Sequence, residues 1–94
     1  MGALQLPATA DLEQAPALLR AVDAAVDADG LQLDASALAQ FDTSAIALLL
    51  HAQRAAQARG GRLVVTGAPP KLAELARLYG VEELLPLGPA AGTT

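Results

Sequence analysis

The chain contains no cysteine and no tryptophan, and its only aromatic residues are Phe41 and Tyr79. Lack of cysteine excludes a disulfide framework and thiol chemistry. Two aromatics leave almost nothing on which the bases of a nucleic acid could stack. Positive charge is scarce too: one lysine, Lys71, and a handful of arginines stand against 10 acids, for a net charge of −4. Nucleic-acid phosphates call for a basic stripe, and anionic membrane surfaces attract polybasic segments; the chain has neither. Its longest apolar run, Ala45–Leu50, falls far short of the roughly 20 residues that span a bilayer. The first residues lack the basic start of a secretory signal. The expectation is a soluble cytoplasmic protein with no nucleic-acid partner and no direct membrane insertion.

What the chain does have is aliphatic bulk. Of its 94 residues 53% are apolar, mostly alanine and leucine, enough to fold around one modest core. A single domain over residues 1–94 is expected, with its core from about 3 to 87. The small residues from 88 to 94 read as a mobile tail.

Ala3-Leu4-Gln5-Leu6 alternates like a short strand, which Pro7 ends or places at an edge. Asp11 and Gln14 have capping-box spacing, and Pro16 suits a first turn, so a helix starts between Asp11 and Ala15. Leu18, Leu19, Val22 and Val26 form its apolar stripe, and Asp29-Gly30 stops it. Leu31–Ala35 is a strand candidate, followed by a loop through Ala39-Gln40. A second helix runs from about Ser44 to Ala58, capped by Asp42 or Thr43, and Gly60-Gly61 ends it. Arg62–Thr66 is the clearest strand, β-branched and continuous enough to predict burial on both faces. Pro70 opens a third helix with Leu72, Leu75, Ala76 and Tyr79 inward, Lys71, Glu74 and Arg77 outward, and Gly80 just past its end. Val81–Leu87 is a short final element, a helical turn and then an edge segment. Strand and helix alternate, so the expected class is α/β with a mostly parallel, mixed sheet of about four strands covered by helices.

The machinery of catalysis is missing. His51 is the only histidine and has no cysteine beside it, whereas a metal site needs three or four converging ligands. Ser44 and His51 are two helical turns apart, about 10 Å along the axis, too far for a hydrogen bond. Glu82 and Glu83 are neighbours whose side chains diverge on a helix. Gly60-Gly61 follows a helix instead of preceding one and lacks a phosphate-binding lysine. No enzyme, metal or cofactor is expected.

Attention therefore falls on Phe41-Asp42-Thr43-Ser44 and the apolar segment behind it. Only seven residues of the chain are serine or threonine, and two of them are adjacent here. As caps they are redundant with Asp42, since one such cap already stabilises a helix by about 1 kcal/mol. A phosphoryl group on Thr43 or Ser44 would meet free N–H groups and the positive end of the helix dipole, opposed by the charge of Asp42. Ala45–Leu50 surround the helix with apolar groups. Either a broad core accommodates both Leu48 and Leu50, or part of this turn is an apolar patch for a protein partner.

These residues resemble the STAS domain, the fold of bacterial anti-sigma-factor antagonists, which places an Asp-Ser/Thr-Ser-Gly turn at a strand-to-helix junction. Asp42-Thr43-Ser44-Ala45 matches three positions and departs at Ala45. Ala47–His51, Ala73–Val81 and Leu84-Leu85-Pro86 are similar to the STAS subunits of Mla phospholipid-transport systems. The resemblance covers roughly Leu31 to Leu87. It implies a non-catalytic subunit that binds and regulates an ABC-type ATPase, and through it an inner-membrane permease, so the protein would associate peripherally with that membrane. The implied contact is Asp42, Thr43, Ser44, Leu48 and His51, flanked by Lys71, Leu78 and Tyr79. The functional threonine of the transporter branch maps to Thr43. The phosphorylated serine of the antagonist branch maps to Ser44, and this branch supplies the alternative function. STAS domains usually begin with two strands before the first helix, and here only Ala3–Leu6 precedes it. A sheet lacking its first strand leaves an open edge, for which a second copy of the chain, as a homodimer, is one cover.

Overall fold

The structure, a computed structural model, describes residues 1–85. The tail expected from 88 to 94, and the edge segment expected at Pro86-Leu87, lie outside the described residues. Five strands and three helices follow one another: β1 (Gly2–Gln5), β2 (Thr9–Ala10), α1 (Ala15–Ala25), β3 (Gly30–Asp34), β4 (Gln40–Phe41), α2 (Thr43–Ala58), β5 (Arg62–Thr66) and α3 (Pro70–Leu78), then a 3-10 turn at Glu82–Leu84. The class is α/β, as the alternation predicts.

The main sheet has the order β1-β3-β5 and is parallel throughout. It therefore holds three strands where about four were expected, because the described segment after α3 coils into the 3-10 turn. Thr9-Ala10 and Gln40-Phe41 form a second parallel pair, β2 with β4, so two strands precede the first helix where only Ala3–Leu6 was expected. Among the described residues β1 and β5 are the edges of the main sheet.

Register decides what the sheet buries. Leu4, Leu33 and Val65 lie side by side, as do Leu31 and Leu63. Successive side chains alternate across a strand, so this one face collects the leucines, and Leu31, Leu33, Leu63 and Val65 are all buried. The opposite face carries Ala3, Gln5, Gln32 and Arg62, all exposed. Val64 is on that side and only half-buried, which corrects the expectation that its strand is covered on both faces. The run Leu63-Val64-Val65 hides a two-sided strand because valine tolerates partial exposure.

α2 is the central helix. It packs against the sheet, α1 and α3, which is why its first turns are apolar all round. Ala45, Ile46, Leu48, Leu49, Ala52 and Ala56 are buried. Each buried leucine of this kind stabilises by about 1.5–3 kcal/mol. Val22 of α1 and Val26 just past its end reach the core, while Leu18 and Leu19 pack at its margin. The helix ends at Ala25, before the Asp29-Gly30 stop.

Pro70 begins α3, and the chain leaves it through Gly80 at φ 71°. Gly80 N–H donates to Arg77 O and Val81 N–H to Ala76 O, the pairing of a Schellman turn. That turn sends Val81 back against the core. Tyr79, expected inward, is instead the helix's C-cap residue and is 55% exposed. The turn after α2 presses on the start of β3. A Cβ on Gly61 would overlap the backbone of Asp29 and Gly30, and one on Gly30 would overlap that of Arg62.

Candidate functional site

The β2–β4 pair sets Ala10 beside Phe41, and this places Asp42 next to the loop that leads into α1. Of the two candidate caps, Asp42 is the N-cap of α2 and Thr43 is its first helical residue. Its Oδ1 accepts the Ser44 N–H at 2.8 Å, and its Oδ2 accepts the Leu12 N–H at 3.3 Å. One carboxylate thus fastens together two segments 30 residues apart in the chain. The Ser44 N–H holds this carboxyl below its ordinary range, with smaller help from the Ser44 hydroxyl and the Leu12 N–H and against a modest desolvation.

Thr43, the first residue of the helix, is exposed, whereas Ser44 is half-buried beside Asp42. Thr43 is the hydroxyl open to another molecule.

Beside the turn lies an open cleft of about 310 Å³ between β4 and α3, lined by Phe41, Lys71, Glu74, Leu75 and Leu78. Lys71 and Leu78, expected as the flank of the contact, meet there. Leu78 is 78% exposed. Tyr79 is exposed nearby in sequence but does not line the cleft.

Two expected members are elsewhere. Leu48 is 2% exposed, so it offers no surface to a partner; of the same turn, only Ala47 is exposed and Leu50 is half-buried. His51 lies further along α2, and its Nε2 is 2.8 Å from Asp23 Oδ1 of α1. It ties two helices together and is no base for Ser44. Among the described residues no group of three or more His, Cys, Asp or Glu side chains is placed to hold a metal ion. None of their helices is long and apolar enough to cross a membrane.

Sequence reasoning passed over Leu12, which is 73% exposed and anchored to Asp42 through its backbone. Helical periodicity disguises it: Leu12 falls seven residues before Leu19 and fourteen before Val26, in line with the stripe, although α1 begins only at Ala15. Phe41, Glu74 and Leu75 were missed as cleft residues because their meeting depends on how α3 folds back.

A family model described as Mlab, STAS domain, matches residues 2–86. No curated protein matches the chain. The chain belongs to the STAS domain family, in its Mlab-like branch. STAS domains are generally non-catalytic.

Proposed function

We propose that this protein is a non-catalytic STAS subunit that docks on an ABC-type ATPase of a phospholipid transporter and regulates its turnover. It acts on the cytoplasmic side of the inner membrane and touches the permease only through the ATPase. The observation that carries this reading is the exposed Thr43 at the start of α2, held in place by the doubly bonded carboxylate of Asp42. A surface hydroxyl on a rigid helix start, with an apolar cleft beside it, suits a contact with another polypeptide. It does not suit bond-making: the carboxylate beside it, Asp42, is already engaged by the Ser44 and Leu12 N–H groups.

Thr43 is favoured over Ser44 as the functional hydroxyl because Ser44 is half-buried. That contrast ranks the transporter reading above a sigma-factor antagonist switched at Ser44. The test is Thr43→Glu, assayed for copurification with the ATPase and for ATP turnover of the complex. A carboxylate at the first position of a helix suits the helix dipole, so the variant keeps its fold. Loss of copurification and altered turnover are expected; unchanged values for both would remove the turn from the contact.

A further inference from the structure

We propose that the chain meets its protein partner through two apolar features joined to Asp42, the exposed side chain of Leu12, whose N–H Asp42 holds, and the cleft of Phe41, Leu75 and Leu78, which begins one residue before it. The partner is a basic protein face that supplies one apolar pocket and one apolar side chain. This inference rests on the docking role assigned above to the turn at Thr43.

Leu12 is 73% exposed, yet its backbone N–H is bonded to Asp42 Oδ2. A leucine presented on a tethered backbone has less freedom to lose on binding than one on a loose loop. In the cleft, Phe41 and Leu75 are partly buried against the core while Leu78 stands 78% exposed. They leave a cleft of about 310 Å³, roomy enough for a bulky side chain. A projection together with a recess specifies more of the partner's orientation than either does alone.

Charge identifies the occupant. Asp11 and Glu13 flank Leu12 in sequence, Asp42 accepts the Leu12 N–H, and Glu74 lines the cleft; Lys71 is the one cation of the cleft. None of these groups forms an ion pair among the described residues. A surface with four carboxylates to one ammonium is complementary to a basic protein face. It repels an anionic membrane. It also disfavours a second copy of the chain, since a two-fold contact would set the same acids against each other.

The test measures binding of the full chain to the purified ATPase of the phospholipid transporter, at low and high salt. The variants are Leu12→Ala, Leu78→Ala and Glu74→Lys, all at exposed positions, with thermal melts to confirm the fold. Each alanine variant is expected to weaken binding about tenfold. Glu74→Lys is expected to slow association and flatten its salt dependence. If wild type binds and all three variants bind equally well, the two-feature surface is overturned while the ATPase reading stands. If wild type does not bind, both are overturned. A dimer of the chain in sedimentation that Leu78→Ala dissociates would also overturn the inference, by giving the cleft to a second copy.

Discussion

Two sets of leucines in this molecule look alike in sequence and differ in fate. Leu48 and Leu49 sit in an uninterrupted apolar run and are wholly interior, at 2% and 1% exposure. Leu12 and Leu78 stand among charged residues and point to solvent. The run that looks most like a sticky patch is structural, and the isolated leucines are the ones free to meet another molecule. A continuous apolar segment belongs inside when its helix is flanked on several sides, as α2 is by the sheet, α1 and α3. A lone leucine beside carboxylates is the better marker of a contact that must form in water.

The sharpest way to break this contrast is truncation. Leu48→Ala is expected to destabilise the domain by about 2–5 kcal/mol, read from urea unfolding, and a loss below about 1 kcal/mol would mean that the α2 core is loosely filled. Leu78→Ala and Leu12→Ala should change stability by no more than about 0.5 kcal/mol in the same measurement, and a larger loss would place them in the fold after all.

Asp42 lies between these extremes. Its carboxyl is held below its unfolded value, so its contribution to stability is present above the unfolded carboxylate range and is lost as pH falls through the lower folded value. Asp42→Ala is therefore expected to lower the melting temperature at pH 7. The gap to wild type should narrow as the pH drops below about 4. Asp34, held low mainly by the Ser36 hydroxyl, titrates in both proteins and cancels in the comparison. A gap constant from pH 7 to pH 3 would refute the pair of hydrogen bonds accepted by Asp42. A small effect is also expected at His51 and Asp23. A double-mutant cycle on this partly exposed pair should give a coupling below about 1 kcal/mol, and a value well above that would make it a principal tie between α1 and α2.

Local chemistry explains what could be read from sequence. Asp42 as cap, Pro70 as helix start and Gly80 as helix end are each fixed by a few neighbouring residues, and the structure has them in those roles. Arg62–Thr66 was legible as a strand because β-branched residues cluster there, but its partly open face was not, since three consecutive apolar residues carry no alternation. Pairs of two residues such as Thr9-Ala10 with Gln40-Phe41 are too short to leave a pattern, so the meeting of Leu12 with Asp42 was hidden. The burial of Leu48 depends on α1 and α3 both lying against α2, a fact about assembly that no window of sequence contains. The site followed the same rule: its hydroxyls and acid were visible, while the cleft waited on the return path of α3.

Gly30 and Gly61, crowded together where α2 hands over to β5, bear on how any mutational map of this protein should be interpreted. At both positions even one methyl group meets main-chain atoms, so a saturation library would show two intolerant columns there. That intolerance would be geometric in origin and lies at the far end of α2 from Thr43. Ranking residues by sensitivity alone would therefore nominate this crossing as a hotspot, whereas Leu12 and Leu78 would register only when the partner is present in the screen.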